Sequence, residues 1–353
     1  MIQNDLPSRS SSGNDGNLDS SISVSEIHDE FGRCVLIEKE FKLDPSVNLK
    51  CLFLKTKMGI LQNTKHVRGI GEVNREKLAR KDVNGLHGLL FHSNASWRRQ
   101  ASNLLAMVKS FCFGELKQQS SIKDFDLLFC FSPERILYLD IETTGLMGSR
   151  IFLVGLGFIK MAEKKLVVQQ LFARNYEEEY AVVKFTRDIM KKFDCVVSYN
   201  GKSFDIPMID GRTWYYFHSS IDELFYHHVD LMHESRRILG LEKKVKLSVL
   251  EQDVMKIDRE IDVPSSLIPG IYEDFVKMGD EIDIVSILEN LFANVKTSPF
   301  ISSNGSLNRV NLTNTILDLY RVIYHNLIDI TSLHDLMVFL LKPITQKRQL
   351  KRQ

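Results

Sequence analysis

The sequence predicts an α/β fold, a mixed sheet flanked by helices, and three observations lead there. Short apolar runs at 135–141, 151–159 (IFLVGLGFI), 166–173 (LVVQQLFA) and 195–199 (CVVSY) read as strands. Between the last two lies EEEYAVVKFTRDIMKKF, a helix with acidic residues in its first turn and lysines in its last, as the helix dipole favours. The run RILYLDIETTG then ends a buried strand in two carboxylates, Asp140 and Glu142. Strand side chains alternate, so both leave the same face.

The remaining elements follow in chain order. Residues 1–25 are rich in Ser, Asn, Asp and Gly and cannot bury enough apolar surface to offset ordering, which makes them a disordered tail. An N-terminal region occupies 26–132. Its segments CVLIEKEFKL and CLFLK suggest β structure or a small mixed subdomain, and 61–118 reads as helical. Asn94 or Ser96 would cap the helix that carries Leu104, Leu105 and Val108. Within this region, at about 62–92, HVRGIGEVNREKLARKDVNGLHGLL reads as a helix-hairpin-helix. Gly69 and Gly71 would form a tight turn whose exposed amides can take a phosphate, and Leu78, Val83, Leu86, Leu89 and Leu90 would pack the helices together. The plain alternative is a hairpin that only packs. The α/β block spans 133–345, with a polar insertion at 294–311 and a basic tail at 346–353.

At 353 residues and a net charge of +1, the chain has no global positive field that would announce a nucleic-acid partner, so any basic surface is local. The five cysteines show no spacing suited to zinc. No basic-then-apolar leader and no apolar run of membrane-spanning length is present, so a cytoplasmic, reducing setting and no membrane partner are expected.

A buried strand gains nothing structurally by ending in two like charges, whereas Mg²⁺ or Mn²⁺ prefers such hard oxygen ligands. Two further segments supply acids. In VVSYNGKSFDIPMI a strand ends at Tyr199, Asn200–Gly201 turns, and Asp205 falls in the first turn of a helix above the strand ends. Taken alone, Asp205 could simply favour that helix N-terminus. In LTNTILDLYRVIYHNLIDITSLHDLMVFLLK, Ile316, Leu319, Ile323, Leu327 and Ile330 form an apolar stripe. Asp329 lies beside the stripe, and His325 is one turn earlier on the same face. Four carboxylates from three segments could hold two metals about 4 Å apart, an arrangement suited to phosphodiester hydrolysis. His325, with an ordinary value near 6.5, could orient or deprotonate the attacking water.

LDIETTG, YNGKSFDIPMI and HNLID resemble the three motifs of the DEDD exonucleases of the ribonuclease H-like superfamily. More narrowly, the chain resembles the YprB-like ribonuclease H-like family. That likeness extends over HVDLMHESRRILG and LSVLEQDVMKIDREIDVPSSLIPGIYEDF and covers roughly residues 65–342. It implies a ribonuclease H-like sheet, two Mg²⁺ or Mn²⁺ ions on Asp140, Glu142, Asp205 and Asp329, and 3′→5′ exonuclease activity; DNA is the expected substrate over RNA. Gly69, Gly71, Asn200 and Lys202 are expected to help hold the phosphate backbone. Superfamily members carry either Tyr four residues before the last acid or His five before it. Here His325 takes the first place and Tyr324 the second, so the usual identities are exchanged. Ser265 stands where a DIPG-like segment would have Gly. Two rival readings stay open: a non-catalytic nucleic-acid-binding or scaffold protein that keeps the fold, and an RNA exonuclease.

Overall fold

The computed structural model describes residues 22–30, 32–259, 263–279, 282–293 and 307–350. Strands β1 (Ile22–Asp29) and β2 (Gly32–Lys42) open the chain. Six helices follow: α1 (Leu49–Leu61), α2 (Glu72–Ala79), α3 (Gly85–Leu89), α4 (Ala95–Lys109), α5 (Phe113–Gln119) and α6 (Asp124–Leu127). Next come β3 (Ile136–Thr143), β4 (Ile151–Lys160), β5 (Lys165–Phe172), α7 (Glu179–Met190) and β6 (Cys195–Ser198). The chain continues through α8 (Asp205–Phe217), β7 (His227–Asp230), α9 (Leu231–Leu239), α10 (Leu247–Leu250), α11 (Ile268–Val276), α12 (Ile284–Ala293) and α13 (Leu307–Leu350).

The strands form one mixed sheet in the order β1-β2-β5-β4-β3-β6-β7. β1 to β5 pair antiparallel with their neighbours, as does β4 with β3, whereas β3–β6 and β6–β7 are parallel. Three antiparallel strands, a crossover helix and a parallel strand make the expected ribonuclease H-like sheet. Almost every side chain of β3, β4 and β6 is buried, which explains why these runs read as continuously apolar.

The sheet is wider than the sequence suggests, at both edges. β2 pairs with β5 along Val35–Lys42, and β1 pairs with β2, so CVLIEKEFKL covers what would be an open edge of the sheet, whereas CLFLK lies in helix α1 and not in a strand. The boundary expected near residue 132 is therefore crossed by the sheet itself. Ile22 already belongs to β1, inside the stretch read as a polar tail; residues 1–21 lie outside the described residues. At the other edge β7, in the stretch read as mostly helical, extends β6 through Cys195↔His227 to Ser198↔Asp230. The insertion expected at 294–311 lies outside the described residues up to 306, and its last residues already form the start of α13. The same helix runs on to Leu350, into the basic tail.

α13 lies across the face of the sheet that carries Tyr138, Asp140 and Glu142. The Tyr138 hydroxyl meets His334 Nδ1 at 3.0 Å, and two glycines of β4 let the helix come close. A Cβ on Gly155 would stand 2.4 Å from Asn326 Oδ1 and 2.8 Å from Ile330 Cγ1, and one on Gly157 would stand 2.4 Å from Ile330 Cγ2. Gly155 is paired with Asp140 across the ladder, so one of these two close approaches lies beside the first acid. Gly155→Val should cost about 1–3 kcal/mol by overpacking, read as a lower denaturation midpoint. An unchanged midpoint would mean that the helix approaches less closely than described.

Candidate active site

The site begins at the exit of β3, where the sheet runs out of partners. β6 pairs with β3 only as far as Tyr138↔Val197, so the amide of Ile141 has no strand beside it. Asp205 takes that place: its Oδ1 accepts the Ile141 amide at 3.1 Å. The first two acids flank Ile141 on either side, so one backbone bond brings the third element to both. On the other side of the strand, a bulge between Glu142 and Thr143 ends the regular pairing with β4.

The turn leading to Asp205 explains the sequence YNGKSFD. Asn200 is left-handed (φ +64°), and a Cβ on Gly201 would stand 2.2 Å from Ser198 Oγ and 3.2 Å from Asp205 Oδ2. Asp230, buried at the end of β7, fastens this turn. Its Oδ1 accepts from the Asn200 amide at 2.8 Å and from the Met232 amide at 3.0 Å, capping α9, while Oδ2 accepts from the Lys202 amide at 3.2 Å. Asn200 and Lys202 thus serve the turn through their backbones. The Lys202 ammonium bonds Asp124 at 2.5 Å, which Lys117 also holds at 2.7 Å, so it is turned to that carboxylate and not to the four acids.

α13 contributes three residues from one stretch. Asn326, fully buried, donates from Nδ2 to Asp140 Oδ2 at 2.8 Å and to the Asp140 carbonyl at 3.3 Å. Its own Oδ1 accepts from Gln170 Nε2 at 2.7 Å. His325 Nε2 stands 3.3 Å from Asp329 Oδ2, the i, i+4 contact that the spacing implies. Tyr324 instead stacks on Tyr320, so of the two candidates for the fifth position it is His325 that the structure brings to Asp329. Arg259 donates to Asp329 Oδ1 and reaches Glu251 through two bonds.

Four acids from β3, α8 and α13 therefore share one neighbourhood, and their electrostatics show it. Burial raises the Asp140 carboxyl well above the ordinary carboxylate range, and Asp329, Asp205 and Glu142 push it further. Burial and then the charges of Asp329 and Asp205 do the same to Glu142. Asp205 is pushed up to about 7 by burial, although the amides of Asp205 and Ile141 hold it down. Burial also works against the Asp329 charge, but His325 and Arg259 outweigh it and keep that carboxyl below its usual range. His325 in turn reaches about 9, because Asp329 overcomes burial.

Hard oxygen donors that repel one another out of water form a donor set suited to divalent cations of the Mg²⁺ type. As the side chains stand, no three His, Cys, Asp or Glu among the described residues already enclose an ion. One oxygen of Asp140 accepts from Asn326, one of Asp205 from the Ile141 amide, and both of Asp329 face His325 and Arg259.

The hairpin lies apart, in the N-terminal helices. A short 3₁₀ turn (Thr64–His66) leads to Gly69, left-handed at φ +87°, and Gly71 caps α2. The Arg68 amide donates to Gln100 on α4 at 2.9 Å, which docks the turn on its neighbour. Leu78, Leu86 and Leu89 are buried, as expected of the packing residues.

Residues 137–294 match a family profile of the RNase_H superfamily. Over that stretch the chain is similar to the ribonuclease H superfamily. It is 28% identical over 179 residues to the uncharacterized protein YprB of Bacillus subtilis, a match that covers 45% of this chain and 41% of that protein. This chain thus spans less than half of that relative's length.

Five residues of the site went unremarked in the sequence: Arg259, Glu251, Asn326, Gln170 and Asp230. Asn326 and Asp230 left a faint signal, as polar residues inside apolar stretches (YHNLID and HHVDL). Arg259 and Glu251 lie in a charged stretch, where nothing separates a buried ion pair from a solvated one.

The raised carboxyls imply a pH dependence of stability. Asp205 binds its proton more tightly folded than unfolded, so between its ordinary 3.8 and about 7 stability falls as pH rises. Asp140 and Glu142 act with the same sign, and His325, raised from 6.5 to about 9, extends the loss to higher pH. Asp329 contributes only below its ordinary 3.8. The melting temperature of metal-stripped protein should therefore drop as pH rises through 3.8 to about 7, with a shallower slope in Asp205→Asn. A melting temperature that climbs over this interval would contradict the assignment.

Proposed function

We propose that this protein is a divalent-metal-dependent nuclease that hydrolyses phosphodiester bonds at a DEDD site, as a 3′→5′ exonuclease on DNA. The observation that carries the reading is the convergence of Asp140, Glu142, Asp205 and Asp329 from three remote segments on the end of β3. The superfamily match supports nuclease-type chemistry, while exonuclease mode and polarity come from the likeness of the three motifs.

In this reading the four carboxylates hold two Mg²⁺ or Mn²⁺ ions. When bound, such ions activate a water and neutralise charge on the leaving oxygen. The chain's own residues do the rest. Ile141 fixes Asp205 by its amide, Asn326 fixes the rotamer of Asp140, and Asp329 is held by His325 on α13 and by Arg259. His325 would take the proton of the attacking water at a ring nitrogen.

The N-terminal helices would present the nucleic acid. Over residues 49–110 there are twelve Lys and Arg against three Asp and Glu, whereas the whole chain is nearly neutral. A region so charged attracts a phosphate backbone without reading sequence, and its grip weakens with salt. The Gly69–Gly71 hairpin would add its amides to that contact.

The test incubates end-labelled DNA and RNA, single- and double-stranded, with Mg²⁺ or Mn²⁺. Wild type should shorten DNA stepwise from the 3′ end. Asp140→Ala should lose more than about 100-fold, beyond the effect of outer-sphere groups. Equal activity in the variant rejects the site, and binding without cleavage on every substrate favours a scaffold.

The hairpin is tested separately by Gly71→Asp. A side chain there meets no atom within 4 Å, so the substitution adds negative charge without a clash. DNA affinity at low salt should fall, and an unchanged affinity would mean that the hairpin only packs.

A further inference from the structure

Asp329 is the acid most fully engaged, and its partners are cations. Oδ2 faces His325 Nε2 at 3.3 Å, and Oδ1 accepts from Arg259 Nη2. The same guanidinium donates from Nε to Glu251 Oε2 at 2.5 Å and from Nη2 to Glu251 Oε1 at 2.7 Å. Its Nη1 lies 3.3 Å from His325 Nδ1. The side chains of Arg259 and Glu251 are only 6% and 1% exposed.

A buried guanidinium between two carboxylates is itself a resident cation. A guanidinium can donate but cannot accept, so it meets His325 Nδ1 favourably only where that nitrogen carries a lone pair. In either state of the ring, Nδ1 has nothing to offer a water. Arg259 occupies the lone pair of the neutral ring, and a proton occupies it in the charged ring. One side chain thus withholds both an oxygen of Asp329 and a nitrogen of His325.

We propose that Arg259 is the counter-cation of the acidic site, that a divalent metal takes Asp329 from it, and that Glu251 is the seat to which the guanidinium retires. The inference rests on the reading of the four acids as metal ligands. Glu251 makes the exchange feasible. A guanidinium leaving Asp329 with no second carboxylate would be an uncompensated buried charge, which is costly, whereas the two bonds to Glu251 keep it paired. Without metal, Arg259 offsets part of the repulsion among the acids. With metal, the dication does so more strongly, and the withdrawal of Arg259 uncovers His325 Nδ1. Loading of the site and exposure of the base are then one movement.

Two substitutions with opposite signs test this, read by calorimetric titration of the full chain with Mn²⁺ and not by activity. Arg259→Gln removes the competing charge and should bind Mn²⁺ tighter than wild type by about tenfold or more, the lower end of what close charge pairs contribute. Glu251→Gln weakens the second seat of Arg259, so that the guanidinium holds Asp329 more tightly, and should bind Mn²⁺ more weakly than wild type. If both variants bind more weakly, the arginine merely shapes the site and the proposal is wrong. Unchanged affinity in both overturns it equally. Absence of Mn²⁺ binding in wild type would instead overturn the metal reading on which it rests.

A second measurement avoids variants that fold poorly. In wild type labelled with ¹⁵N-arginine, the Arg259 Nε signal, identified by its loss in Arg259→Lys, should move on saturation with Mg²⁺. A signal that stays in place while Mg²⁺ binds elsewhere in the titration curve overturns the exchange.

Discussion

One constraint organises this molecule: carboxylates must be held together, largely out of water, against their own repulsion. The bond from the Ile141 amide to Asp205 is where this is accomplished. β6 stops short, the amide beyond it is left without a strand partner, and the first residue of α8 supplies an oxygen in its place. A backbone donor in the interior costs free energy when unpaired, so the fold gains by bringing a third acid to the two already on β3. Local hydrogen bonding and long-range repulsion oppose each other at one point of the chain, and the bonding wins.

The helix side repeats this logic with side chains. α13 can approach β3 only because Gly155 and Gly157 leave room, and the space is filled by Asn326. That residue fixes Asp140 while being fixed by Gln170, so the first acid has a defined orientation. Asp230 does the equivalent for the turn before Asp205, through three backbone amides. Asp140 and the turn before Asp205 are thus each held by a residue outside the four acids, as expected where a cation is to be bound with precision.

Much of this was legible in the sequence, for physical reasons that also explain the gaps. Strands β3 to β6 announce themselves because burial on both faces makes continuous apolar runs. Asp140 and Glu142 stand out because two like charges at the end of such a run have no structural use, and Asp205 gains weight beside them. Asp329 and His325 follow from helical spacing. The edge strand β1 was obscured because it alternates with polar residues, and β7 because four residues (HHVD) make too short a run to read. Arg259 and Glu251 were invisible because their importance lies in a contact across 70 residues to Asp329, which no local pattern carries. The pairing of Lys202 with Asp124 escapes a sequence reading for the same reason.

The account stands or falls on what sits among these acids in the working protein. A crystal grown with Mn²⁺ and measured at a wavelength where manganese scatters anomalously addresses this directly. The account requires anomalous peaks bounded by the carboxylates of residues 140, 142, 205 and 329, with Asp329 released from Arg259. Manganese absent from this place at saturating concentration, with Asn326, Arg259 and the four acids in their present contacts, would contradict it.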